Sequence, residues 1–255
     1  MPIEIRQFPC LSDNYGFLIR DRDSGAVATI DTPDTNAINE ELEKTEWTLT
    51  HILNTHHHWD HAGGNLALKD KWRCEIIGPK GEADRIPGLD RAVGEGDVVA
   101  FGQSRAIVHD TPGHTSGHII YHFTDDRAAF VGDTIFALGC GRLFEGTPGQ
   151  MWASLSKIAA MPADTKLYCA HEYTQANAAF ALTVDPLNEA LKARANEINR
   201  LRAEGTPTVP TSVEIELATN PFLRAEDEHL QAALGMSGAG AVEVFAETRR
   251  RKDDF

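Results

Sequence analysis

The stretch Thr55-His56-His57-His58-Trp59-Asp60-His61 constrains this chain more than any other. Four of its side chains, His56, His58, Asp60 and His61, can ligate a metal. The run His51-Ile52-Leu53-Asn54 before it reads as the end of a buried strand, and Ala62 to Leu68 after it as a glycine-loosened entry into a helix. A strand-to-helix junction lies at the rim of an α/β sheet, where ligand sites form. On an extended segment alternate side chains share a face. His56 and His58 therefore point to one site and His57 away from it, while Asp60 and His61 turn toward a second point nearby. A histidine-rich tract can also be a solvated loop, but an H-x-H-x-D-H string seldom forms without a cation to bind. Imidazole and carboxylate suit zinc, iron or manganese, and the lack of a neighbouring cysteine argues against a closed structural zinc site.

At 255 residues, with 42% hydrophobic and 24% charged side chains, the chain can build one large or two modest domains with ample core. Its net charge of −14 would repel a phosphate backbone, so nucleic acid is excluded as a partner. The exception to the acidic balance is Arg249-Arg250-Arg251-Lys252. The opening MPIEIRQFPC lacks a basic-then-apolar leader pattern, and no run approaches the ~18 apolar residues of a membrane span. A cytoplasmic, monomeric protein with no membrane partner is the expectation. Cys10, Cys74, Cys140 and Cys169 are scattered, which suits reduced thiols rather than a disulfide framework.

Read in order, Ile3-Glu4-Ile5, Asn14–Ile19 and Ala26–Ile30 are expected to start or form strands, with a polar hairpin turn at Asp21–Gly25. A helix is expected over Asn36–Lys44, with Ile38 and Leu42 on its inner face. Glu75–Gly78 reads as a strand and residues 79–95 as a surface loop. Val98–Phe101 and Ser104–His109 read as strands, and His118–Phe123 alternates as a half-buried strand does. Ala128–Val131 reads as a buried strand ending at Gly132-Asp133. A helix with Met151, Leu155, Ile158 and Ala159 inward is expected over Gln150–Met161, then a strand over Lys166–Ala170. From Thr174 the periodicity is mostly helical. Asp185-Pro186 suits a helix start, Leu187, Leu191, Ile198 and Leu201 share a stripe, and Gly205 stops that helix. Residues 205–213 form a connector, and Asn220–Arg224 leads into a helix ending near Gly235. The glycines at 235, 238 and 240 precede a last helix carrying the basic run. The boundary between an α/β domain (1–173) and a helical one (174–255) falls near residue 173.

Three further strand ends carry potential ligands: His114 in Thr111–Thr115, Asp133 after Gly132, and His171 after Ala170. Together the candidates are His56, His58, Asp60, His61, His114, Asp133 and His171. Seven donors exceed the four that zinc usually takes and suit two metals about 3.5–4 Å apart with a carboxylate between them.

THHHWDH, TPGHTSGH, FVGDTIF and CAHEYT, in this order, resemble the motifs of the metallo-β-lactamase superfamily. That likeness implies an αββα sandwich, an α/β fold with a dinuclear site at the sheet edge and a supporting role for Asp31 behind the ligands. GCGRLFEGT at 139–147, HEYT at 171–174, NPFLR at 220–224 and the ending RRRKDDF resemble one branch of it, the hydroxyacylglutathione hydrolase (glyoxalase II) family. This resemblance covers nearly the whole chain, including a smaller C-terminal α-helical domain.

The resemblance implies that His56, His58 and His114 hold one metal, Asp60, His61 and His171 the other, and that Asp133 bridges. Zinc is the first expectation, with iron or manganese also suited. Arg142, Phe144, Tyr173, Arg249 and Lys252 fall on the family's glutathione-binding positions. Phe144 departs from the tyrosine many members carry, and Arg142 from their lysine, which keeps the charge but not the geometry. The reaction implied is hydrolysis of S-D-lactoylglutathione to D-lactate and glutathione, the second step of methylglyoxal detoxification. Its nucleophile would be a hydroxide held between the metals, with Asp60 and Asp133 as the catalytic carboxylates. The alternatives are a glutathione persulfide dioxygenase, which uses one iron, and a non-catalytic glutathione- or metal-binding protein.

Overall fold

Val27–Ile30, His51–Leu53 and Glu75–Pro79 are short apolar runs, mostly buried, that pair in parallel. Burial on both faces is what a sheet with covered faces requires of its strands. With Glu4–Cys10, Asn14–Arg20 and Arg91–Val93 they form a six-stranded sheet in chain order, antiparallel at its start and parallel from Val27–Ile30 onward. The crossover helix Thr35–Thr45 starts where the Asp34 carboxylate accepts the Asn36 and Ala37 N–H groups, and Glu46 ends it in the left-handed region. Its Ile38 and Leu42, one turn apart, are fully buried against Leu18, Ile52 and Ile76. Each such burial contributes about 1.5–3 kcal/mol.

The computed structural model describes residues 3–255, and Met1 and Pro2 of the expected first domain lie outside the described residues. Its contacts divide the chain into two units. One is Met1–Asp110 with Ser116–Gly132, and the other is Thr111–Thr115 with Asp133–Phe255. In the first, an antiparallel meander of Val98–Phe101, Ser104–Asp110, Ile119–Phe123 and Ala128–Gly132 faces the sheet just described. Phe17 meets Phe130 edge-on at 5.6 Å, and the buried Tyr121 hydroxyl donates to the Asn54 carbonyl at 2.9 Å.

The second unit holds the small hairpin Ile135–Phe136 with Gly139–Cys140 and the pair Lys166–Cys169 with Thr211–Ser212. Its helices are Pro148–Ala159, Thr174–Val184, Glu189–Ala203, Val213–Thr219, Glu228–Leu234 and Ala241–Asp253. Leu138, Ala178, Ala181, Leu191, Ala195 and Ile198 form one apolar cluster. The fully buried Glu216 beside it is paired with Arg194, and accepts from Leu138 N, Thr211 and Asn220. A buried carboxylate persists only with such a full set of partners.

Several expectations need correction. Residues 79–95 are not simply a surface loop. Lys80–Arg85 is a 3-10 helix, Arg91–Val93 is a paired strand, and Glu82 is buried. Charge in that segment suggested solvent, but Glu82 accepts hydrogen bonds from the His57 and Gly117 backbone N–H groups. Ile119–Phe123 is buried throughout rather than on alternate residues. Asp185-Pro186 does not begin a helix. Asn188 caps Glu189–Ala203, while Asp185 ends the preceding helix and accepts from Arg224 and Asn188. Leu187 therefore precedes the helix and stands 80% exposed, off the expected stripe. The helix Val213–Thr219 was not expected, because it follows directly on a Pro/Thr-rich connector. Ser154, rather than Ala159, completes the buried face of Pro148–Ala159.

Candidate metal centre

Extended backbone runs from the end of His51–Leu53 to His58, and the short helix Trp59–Ala62 follows. The alternation of an extended segment holds. His56 Nε2 and His58 Nδ1 face each other at 3.1 Å, while His57 turns the other way and places its Nδ1 2.7 Å from the Glu82 carboxylate. The helical turn then brings Asp60 and His61 side by side, with Asp60 Oδ2 at 3.5 Å from His61 Nε2. The His56 and His61 rings lie 4.1 Å apart between centroids.

Hydrogen bonds behind these rings determine which nitrogen is available. Asp31, at the end of Val27–Ile30 with φ +57°, accepts from Thr55 N at 2.7 Å, Thr55 Oγ1 at 2.8 Å and His61 Nδ1 at 2.8 Å. His61 Nδ1 must carry its proton to make that bond, which leaves Nε2 as a lone-pair donor. Because the Thr55 hydroxyl gives its proton to Asp31, its oxygen accepts from His56 Nδ1 at 3.0 Å, and His56 is held in the same tautomer. Asn14 Nδ2 donates to Asp60 Oδ2 at 3.2 Å. Gly132, at φ +47°, permits this packing, since a Cβ there would sit 2.7 Å from both Thr55 Oγ1 and His118 Nε2.

In the second unit, Asp133 lies between two imidazoles. His114 Nε2 is 3.3 Å from its Oδ2 and His171 Nε2 is 3.5 Å from its Oδ1. All three residues are buried. His114 Nδ1 donates to the Arg142 carbonyl at 2.8 Å, so its Nε2 presents a lone pair toward the carboxylate. Two electron-rich groups at that distance repel unless a cation lies against both. A carboxylate with a different imidazole on each oxygen has the donor arrangement of a group shared by two metals. The Gly141 backbone comes so close that a Cβ there would meet the Asp133 carbonyl at 2.0 Å.

The positions expected to bind glutathione also lie in this unit. Phe144 is 60% exposed and packs edge-on against His114 at 5.2 Å. Tyr173 stacks on His171 at 4.7 Å and 5°. Arg249 is buried, with Nη1 on the Cys140 carbonyl at 3.0 Å and its guanidinium 5.1 Å from the Phe222 ring centre. Lys252 Nζ lies 5.2 Å from the ring centres of both Phe180 and Phe255. Burial, and then the Arg249 and Arg142 charges, push its ammonium below the usual lysine value. Arg142 reaches the same helix end, where its Nε meets Asp253. The Cys140 thiol is pushed up to about 11, chiefly by burial, and is no nucleophile.

Reading the residues alone did not single out Thr55, Glu82, Asn14 or Asp253. Only Asp253 had a sequence signal, its i+4 spacing from Arg249. His51 and His122 lie outside the ligand set, and burial pushes both below the usual imidazole value, as in packed neutral rings.

Among the described residues, the groups of His and Asp able to hold a metal ion are drawn from His56, His58, Asp60, His61, His114, Asp133 and His171. No helix among the described residues is long and apolar enough to cross a membrane. Residues 15–171 match the metallo-β-lactamase superfamily, and residues 172–255 match the family described as hydroxyacylglutathione hydrolase C-terminus. The chain is 56% identical over 251 residues to the hydroxyacylglutathione hydrolase of Maricaulis maris, covering 98% of each. It is 56% identical over 253 residues to that of Rhodospirillum rubrum, covering 99% of each. Among solved structures, ETHE1 from Myxococcus xanthus superposes with a TM-score of 0.67 at 24% identity, covering 99% of this chain and 100% of its own. The B3 metallo-β-lactamase BLEG-1 superposes at 0.66 with 21% identity, covering 86% of this chain and 99% of its own. These two likenesses establish the fold, the αββα sandwich of that superfamily, here with a helical C-terminal region. The relatives match from end to end. The chain belongs to the hydroxyacylglutathione hydrolase family of the metallo-β-lactamase superfamily.

Proposed function

We propose that this protein hydrolyses S-D-lactoylglutathione and related 2-hydroxyacylglutathione thioesters to the hydroxy acid and glutathione, the second step of methylglyoxal detoxification. The observation that carries this reading is Asp133 with an imidazole on each carboxylate oxygen, in a unit that also gathers Arg142, Arg249 and Lys252. Its close relatives, named hydroxyacylglutathione hydrolases, favour it over a persulfide dioxygenase or a non-catalytic binding protein.

In this reading His56, His58 and His114 hold one divalent cation, Asp60, His61 and His171 the other, and Asp133 both. Zinc suits the set best, and iron or manganese also fits its imidazole and carboxylate donors. Two such cations, when bound, supply a water that ionises near neutral pH and an electrophile for the thioester carbonyl. Asp31, Thr55 and the Arg142 carbonyl keep the Nε2 lone pairs of His61, His56 and His114 turned outward. Asn14 orients Asp60, and Asp60 and Asp133 are the carboxylates this reading assigns to the reaction. The new C–O bond replaces the C–S bond, and glutathione leaves as thiolate. A thiol with a pKa of about 8.5 needs no dedicated acid to leave.

Residues 1–173 are assigned the chemistry, and residues 174–255 supply the glutathione contacts of Arg249 and Lys252. Tyr173 stacks on His171 and Phe144 packs against His114, which sets both beside the ligand imidazoles of this reading. A cytoplasmic monomer fits the net charge of −14, which favours soluble, separate molecules.

The direct test is thiol release from S-D-lactoylglutathione by metal-replete protein. Steady turnover is the expected result, and its absence at full metal content would overturn the assignment. Replacing Arg142 and Lys252 together by Ala should raise KM about tenfold with a smaller change in kcat, since uniform binding is removed. Arg249 is left intact there because it is wedged against Phe222 and Cys140. An unchanged KM in the folded double variant would remove these cations from the glutathione site.

A further inference from the structure

The basic seat contains an acid of its own. Asp253 Oδ1 accepts from Arg249 Nη2 at 2.9 Å and from Arg142 Nε at 3.3 Å, and Lys252 is its neighbour in sequence. Asp253 closes the helix Ala241–Asp253, where a carboxylate faces the negative end of the helix dipole and is disfavoured. Its place is therefore better explained by the cations around it than by helix stability.

Building on the thioesterase reading, we propose that Asp253 is a resident counter-anion. It stands where a carboxylate of the glutathione moiety binds, and the substrate must displace it. Arg249 does not need Asp253 to stay in place, since Cys140 and Phe222 already hold it. Arg142 is different. Its side chain is 58% exposed, and Asp253 is the partner that draws it to the helix end. Asp253 itself is 37% exposed and accepts from the Nη2 of the buried Arg249, so an incoming anion reaches Arg142 directly and Arg249 only by taking the place of Asp253. Without a ligand, Asp253 offsets the repulsion among three cations. With a ligand, its charge opposes the carboxylate being captured. Asp253 thus sets how tightly an anionic thioester is held and how fast the product leaves.

The test compares Asp253→Asn with the wild-type holoenzyme. Partly exposed charge pairs contribute weakly, so KM for S-D-lactoylglutathione should fall by about 1.4- to fivefold in Asp253→Asn. Glutathione, titrated calorimetrically, should bind tighter by a similar factor, and kcat should not rise. Both gains should shrink as ionic strength rises to about 0.3 M. Asp254→Asn removes the same charge from a residue paired with Arg250 outside the seat, and should leave KM where it was. Asp253→Glu should restore the wild-type value. A KM that stays or rises in folded Asp253→Asn would overturn the proposal and leave Asp253 a positioning group for Arg142. Failure of the thioesterase reading would look different. The wild type would then not turn over, while the glutathione titration, which needs no turnover, would still report on Asp253.

Discussion

Asp133→Asn is expected to cut kcat/KM by about a thousandfold or more while the protein remains folded. The amide matches the carboxyl in size, so the packing of this buried position is kept. What changes is charge and donor character. One of the two oxygens now facing His114 Nε2 at 3.3 Å and His171 Nε2 at 3.5 Å becomes an NH₂ group. That face can no longer donate a lone pair, and a full negative charge is lost where two dications would meet. Loss of a single preorganised electrostatic contact typically costs about 10²–10³ in rate. A shared ligand, whose loss also weakens metal retention, should cost more. Activity and metal-to-protein ratio should be measured on the same dialysed sample, with a melting curve as the control for folding. Near-normal turnover at full metal content would sink the bridging role.

Asp31→Asn should act one step further out, lowering metal retention about 10–100-fold and activity with it. Asp31 receives three donors, from Thr55 N, Thr55 Oγ1 and His61 Nδ1. An asparagine keeps one acceptor oxygen. If that oxygen stays on Thr55 N, its NH₂ group confronts two donors. Relief then comes from His61 moving its proton to Nε2, the nitrogen that the proposed function gives to the metal. The Thr55 hydroxyl is released as well, and with it the constraint on the His56 tautomer. Alanine at this position would also leave a cavity, so the amide isolates the proton argument from packing. Wild-type metal content after dialysis against a weak chelator would show that Asp31 does not govern the tautomers.

The two substitutions separate what was legible in the chain from what was not. The candidate ligands stand out because an H-x-H-x-D-H string sits between an apolar run and a glycine-loosened helix start. Period-two geometry is local, so the opposed directions of His56 and His57 follow from the extended backbone alone. The buried faces of Ile38 with Leu42 and of Met151 with Leu155 were legible for the same reason, here with helical spacing. Local rules failed where partners are distant in sequence. Glu82 sits in a segment whose composition suggested solvent, yet it is buried because His57 and Gly117 supply donors to it. Asp185-Pro186 has the residue types of a helix start, but Arg224, 39 positions away, claims the carboxylate and Asn188 takes the cap.

The sequence alone determined the donor set, the reduced cysteines, the excess of acidic charge and the basic run at its end, because these depend on residue identity and short spacing. Tertiary structure alone decided which nitrogen of His61, His56 and His114 faces outward, since that depends on the Asp31 carboxylate, directly or through Thr55, and on the Arg142 carbonyl. It also placed Asp253 between Arg249 and Arg142. The Arg142 contact joins residues 111 positions apart. Pairings of that span form only when the entropy of closing the chain is offset by the packing of everything between.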